Sequence, residues 1–198
     1  MKMVYALALA VVLAGCGQGQ STQGQSASEQ APPAATASQV ESKPLCPEPM
    51  AINAEQYFMN LDAGLKAINQ PTQVNDKKLD ANDCGYQLVM LMKSGAIQMQ
   101  LDAEQRLLNL GAGYENTQQP VDNMSNLFTI IQSIVALHGT ERMGESKVGT
   151  LLFNTVTETM EAAVNGSGTA AKDVELDGFL YTVAVEGKAV AILARKKI

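Results

Sequence analysis

The sequence has no tryptophan, one histidine, and only 4 phenylalanines and 5 tyrosines among 198 residues. So few aromatics leave little material for a sugar-stacking platform. Basic charge is also short: 14 Lys and Arg stand against 20 Asp and Glu, for a net charge of -6. That balance argues against nucleic acid or anionic lipid headgroups as the main partner. No apolar run reaches the roughly 20 residues that cross a hydrocarbon core, the longest covering residues 3 to 14. Chemical motifs are missing too. There is no Gly-x-Ser-x-Gly elbow, no phosphate-cradling glycine loop, no His-Glu-x-x-His metal site and no calcium loop. No cofactor and no metal is therefore expected, and no catalytic residue emerges.

What is present begins at the N-terminus. Lys2 precedes an apolar stretch from Met3 to Leu13, and small residues follow before Cys16, the layout of a secretory signal. Leu13-Ala14-Gly15-Cys16 resembles the lipobox of bacterial lipoproteins. The resemblance implies removal of residues 1–15, acyl groups on Cys16, and attachment to a membrane through that lipid; two or more chains anchor stably where one does not. Gly17 is not the aspartate associated with inner-membrane retention. The expected address is the cell envelope, at the outer membrane facing the periplasm.

Residues 16–44 are rich in Gln, Ser, Ala, Gly, Thr and Pro and nearly empty of large apolar side chains. Such a composition cannot offset its ordering entropy and predicts a disordered tether. Fully extended it reaches roughly 90 Å, and as a flexible coil it averages about 30 Å. The remaining residues, 45–198, have the length of one ordinary domain and hold 12 basic against 18 acidic residues. With Cys16 assigned to lipid, Cys46 and Cys84 are an even pair in an oxidising compartment, and a disulfide is the economical reading. Closing that loop contributes roughly 3 to 4 kcal/mol by the loop-entropy model.

Periodicity supplies the architecture. Ala54, Tyr57, Phe58, Leu61, Leu65 and Ile68 make one helical stripe, opened by Asn53 with Gln56 and stopped by Pro71. Met124, Leu127, Phe128, Ile131, Ile134 and Val135 make a second, capped by Asp122. Val148, Leu151, Leu152, Val156, Thr159 and Ala163 make a third, opened by Ser146. Two stretches alternate instead. A Ser94-Gly95 turn pairs Met92 with Ile97, Met90 with Met99 and Leu88 with Leu101. A Glu186-Gly187 turn pairs Val183 with Val190, Tyr181 with Ile192 and Asp177 with Lys196. Asp102 to Leu110 reads two ways, as a short helix capped by Asp102 and Gln105 or as a strand in which Leu108 and Leu110 alternate, with the helix preferred; Gly111-Ala112-Gly113 is expected as a turn.

These elements predict an α+β domain, with a four-stranded antiparallel sheet from two hairpins and three amphipathic helices on one face. Each hairpin follows helical material, so the chain reads as two helix-plus-hairpin units, which resemble small tandem-repeat inhibitor folds. The other sheet face would present Gln87, Val89, Leu91 and Gln98 from one hairpin and Leu180, Thr182 and Leu193 from the other. That mixture of aliphatic and amide groups is the candidate binding face. His138, at a helix end, has a structural role favoured electrostatically when charged. Asp173, Glu175 and Asp177 alternate as a solvated strand edge, and Met90, Met92 and Met99 fall at core positions.

The function these features point to is a membrane-anchored envelope lipoprotein acting as a non-catalytic protein-binding module, an assembly accessory or inhibitor. A carrier of lipid or another hydrophobic ligand is the alternative. An envelope enzyme is the third reading, to be supported by a cleft joining His138 to a serine or carboxylate.

Overall fold

The computed structural model describes residues 46–70, 74–93 and 95–197. The signal, Cys16, the tether, Pro71 and Ser94 lie outside them. The chain runs α1 (Ala54–Ala67), β1 (Val74–Asn82), β2 (Gly85–Met92), β3 (Gly95–Leu101), β4 (Leu107–Glu115), α2 (Pro120–Val135), α3 (Lys147–Asn165), β5 (Thr169–Leu176), β6 (Phe179–Glu186) and β7 (Ala189–Lys196). It is an α+β fold with one seven-stranded sheet, ordered β1-β2-β3-β4-β7-β6-β5, and every pairing is antiparallel. The expected sheet of four strands is thus corrected to seven. Two meanders, β1–β4 and β5–β7, meet where β4 pairs with β7.

Local chemistry explains the helix ends. Asn53 Oδ1 accepts a 2.8 Å hydrogen bond from the Gln56 N–H, filling one of the donors that a helix N-terminus leaves open. In α2 the expected cap is corrected: Asp122 sits inside the first turn, Gln119 is the N-cap without a side-chain bond, and Pro120 opens the helix. Proline suits that position because its missing N–H has no helical partner there. Ser146 caps α3 by accepting from the Gly149 N–H.

Tyr57, Leu61 and Leu65 of α1, Ile130, Ile131 and Ile134 of α2, and Leu152 and Val156 of α3 all enter one core cluster. It also contains Leu88, Met90, Met92, Ile97, Met99, Leu110, Val183 and Ile192 from the sheet. The three methionines are therefore packing residues. A buried glutamine organises the α2–α3 connection: Gln132 Nε2 donates to the Glu141 carbonyl at 2.9 Å, and its Oε1 accepts from the Met143 N–H at 2.8 Å.

Both expected hairpin registers move by two residues. Met90 faces Ile97 and Leu88 faces Met99, while Val183 faces Ile192 and Tyr181 faces Ala194. A shift of two keeps every side chain on its face, so the alternation survives the error. Gly187, at φ +58, is the first of two central turn residues, as a II′ turn requires, whereas the sequence reading put it second. Gly95 is no turn residue at all; it begins β3, where an added Cβ would come 2.3 Å from the Gly113 carbonyl oxygen.

Three further corrections concern strands. Residues 107–115 form β4 rather than a helix and a turn. Gly111 and Gly113 sit in mid-strand, paired with Gln98 and Ala96. Asp177 belongs to the β5–β6 turn at φ 51, so it shares no strand face with Asp173 and Glu175, and Lys196 pairs with Phe179 instead. Before α1, residues 46–53 run beside the start of β4, Met50 N–H donating to the Leu107 carbonyl at 2.7 Å.

Candidate functional site

Strand pairing strings the side chains of the second sheet face into rows. The central row reads Val89, Gln98, Gly111, Leu193, Thr182 and Asp173 from β2 to β5. On one side of it lie Leu91, Ala96, Gly113, Ala191, Ala184 and Ala171, and on the other Gln87, Gln100, Asn109, Arg195, Leu180 and Glu175. At ordinary strand spacings, six strands and three rows cover about 24 Å by 14 Å. None of these residues belongs to the core cluster that contains the helices.

All seven residues singled out from the sequence, Gln87, Val89, Leu91, Gln98, Leu180, Thr182 and Leu193, fall on this face and are half-buried. Strand β4, which the sequence reading missed, runs between the two hairpins. Its outward residues are Asn109, Gly111 and Gly113, so the middle of the face is low and flanked by aliphatic side chains. The signal for it was the alternation of Leu108, Leu110, Ala112 and Tyr114, masked by the glycines between them.

Polar groups on the face are held in place. Asn109 Nδ2 donates to Gln100 Oε1 at 2.8 Å, Thr182 Oγ1 donates to Asp173 Oδ1 at 2.7 Å, and Glu175 pairs with Lys197. Charge gathers at the edges: β1 carries Asp76, Lys78 and Asp80, and β5 carries Asp173 and Glu175. Charged edges oppose the addition of a foreign strand.

Cys46 and Cys84 lie at disulfide distance, S–S 2.05 Å and Cα–Cα 5.6 Å, tying the segment before α1 to the β1–β2 turn. At the same end of the sheet a pocket of about 570 Å³ lies between residues 49–53, Arg106 and Phe179. Arg106 is committed to Asp102, whose two carboxylate oxygens accept from its backbone N–H at 2.8 Å and its Nε at 2.6 Å. Burial works to raise the Asp102 carboxyl, but those bonds outweigh it and hold it below its ordinary range. Lys196 is likewise paired, with Glu48 at 2.9 Å.

His138 follows α2, and its Nε2 lies 2.7 Å from the Tyr181 hydroxyl, with the ring edge-on to Phe179 at 4.7 Å. Partial desolvation of the ring lowers its pKa and Asp177 opposes that, which favours the neutral form although the residue as a whole is exposed. Its visible role is to satisfy a buried phenol. Among the described residues no group of three or more His, Cys, Asp or Glu could hold a metal ion, and no helix is long and apolar enough to cross a membrane.

A second apolar feature lies at the far end of β4. Met124 and Leu127 of α2, Phe153 and Met160 of α3, and Tyr114 at the end of β4 line a cleft of about 730 Å³. No protein-family model matches the chain, and no curated protein or solved structure matches it significantly.

Proposed function

We propose that this chain is a lipid-anchored, non-catalytic protein-binding module of the bacterial cell envelope, an assembly accessory or inhibitor, whose contact surface is the open sheet face. The anchor is Cys16, at an outer membrane, and residues 16–44 are the tether that gives the 45–198 domain its reach. Cys46 and Cys84 are joined covalently in the exported protein. The helices form one layer on one sheet face, and the chain is read as two helix-plus-hairpin units. One observation carries the reading: Val89, Leu91, Leu180 and Leu193 stand half-buried around a floor of Gly111, Gly113, Ala184 and Ala191, outside the core cluster. Aliphatic groups spread over a surface of this size on a monomer mark a contact site more often than a solvated one.

The test is in-cell crosslinking of the anchored protein followed by purification. A discrete partner is expected with the native face and lost in Leu193→Arg, with melting temperature unchanged. Retention of the same partner in Leu193→Arg and in Thr182→Arg would reject the face. The carrier reading has its own observation in the apolar cleft between α2, α3 and β4, and lipid extraction of the same sample addresses it.

A further inference from the structure

The three buried tyrosines are not treated alike. Tyr57 donates its hydroxyl to the Ser133 carbonyl at 3.1 Å, and Tyr181 is bonded to His138 at 2.7 Å. Tyr114 is as enclosed as a core residue, with 6 % of its surface exposed, yet among the described residues its hydroxyl has no partner. Buried phenols are bonded as a rule, because stripping a hydroxyl of water without replacement costs about 1 to 3 kcal/mol. The Tyr114 oxygen escapes that cost because it is not fully buried, no such side-chain oxygen in the described structure being without a partner, and the residue lines the cleft.

The cleft around it has the character of a small-molecule site. Its walls are Met124, Leu127, Phe153 and Met160, flexible or aromatic side chains that adapt to an apolar guest. Its volume, about 730 Å³, lies in the range of small-ligand clefts, and it is open to solvent along one side. Glu161 is the only charged residue among those lining it, so nothing there neutralises an anion. Met124 at 44 % exposure and Val164 at 83 % add apolar surface to a mouth that also carries Thr157, Glu161 and Asn165.

We infer that the cleft binds an uncharged single-chain amphiphile, an acyl or alkyl chain bearing a carbonyl or ether oxygen, and that Tyr114 donates its hydroxyl to that oxygen. The chain lies against the two methionines and Phe153; the oxygen meets the phenol at the base. Burial raises the Tyr114 pKa to about 12, which keeps the proton in place as a donor through any ordinary pH. The inference rests on the carrier reading and is independent of the sheet face.

The test uses the full mature chain. Diphenylhexatriene, which has no hydrogen-bonding group, reports occupancy of the cleft by fluorescence, and 1-monomyristoylglycerol below its micellar concentration displaces it. Tyr114→Phe, which keeps the ring and its packing, is expected to weaken the glycerol ester about five- to tenfold, the worth of one hydrogen bond, and to leave diphenylhexatriene unchanged. Thr157→Trp, filling the mouth, is expected to abolish both. Myristate is expected to compete less well than its ester, and Glu161→Gln to narrow the gap. If diphenylhexatriene binds but Tyr114→Phe leaves the ester untouched, the donor role is overturned and the carrier reading stands. If neither probe binds saturably to a folded chain, both are overturned.

Discussion

The two faces of the sheet are drawn from the same strands and differ in almost everything else. On one, Leu88, Met90, Ile97, Met99, Leu110, Val183 and Ile192 are at most 3 % exposed and meet residues of all three helices. On the other, Gln, Thr and a few Leu and Val side chains stand half-buried around Ala96, Gly111 and Gly113, which are buried. The first face has large side chains filling every gap, the signature of permanent burial. The second is low in its centre and polar at its margins, and its hydrogen bonds run within the face, so it can be wet or covered. Period-two alternation therefore separates a surface that holds the fold from one that is free to do something else.

Substitutions on either side of the same strands break the comparison if it is wrong. Met99→Ala and Leu110→Ala, at 0 % exposure, are expected to cost up to about 5 kcal/mol each in denaturant unfolding, because both leave cavities in a closed core. Loss of the Cys46–Cys84 link in a Cys84→Ser variant is expected to cost about 3 to 4 kcal/mol, read by the same method. Alkylatable thiols at both Cys46 and Cys84 in the folded protein would refute the link. Gln132→Ala leaves the Met143 N–H and Glu141 carbonyl without their partner and is expected to cost about 1 to 3 kcal/mol.

Acid supplies a smaller effect. The folded protein holds the His138 pKa below its ordinary 6.5, so the unfolded chain takes up the proton first. The contribution of the neutral ring is complete above pH 6.5 and is lost as pH falls through the depressed folded value. His138→Phe is expected to flatten that part of the stability profile; an unchanged slope between pH 7 and 5 would contradict it. On the open face, Leu193→Ala is expected to change stability by less than about 1 kcal/mol, being half-exposed.

The helices and the inward faces of β2, β3, β6 and β7 were legible because burial on one side writes a period into the sequence. The remaining strands lacked that signal for separate reasons. β1 is exposed at all nine positions, so Val74 and Leu79 stand among charges without a pattern. β4 carries glycines where it pairs closely with β3 and β7, and glycine in a sequence suggests a turn. For β5, the Asp177-Gly178 pair was the available sign: both residues have positive φ, as a type I′ hairpin turn demands, and Leu176 pairs with Phe179 across them. The candidate face was readable residue by residue because a two-residue slip preserves sidedness. Its glycine floor was not, since that depends on β4 joining the two meanders. The cleft at Tyr114 was hidden for the same reason: its walls come from α2, α3 and β4, which only the fold brings together.

The central claim is that the open sheet face is where this protein meets another. Photo-crosslinking residues placed one at a time in the full-length protein in cells test it most directly, at Gln98, Thr182 and Ala191 on that face and at Thr150, Asn154 and Glu158 on the exposed side of α3. The account predicts one discrete adduct from the three sheet positions and none from the helix. Adducts confined to the helix, or equal from both sides, would contradict it.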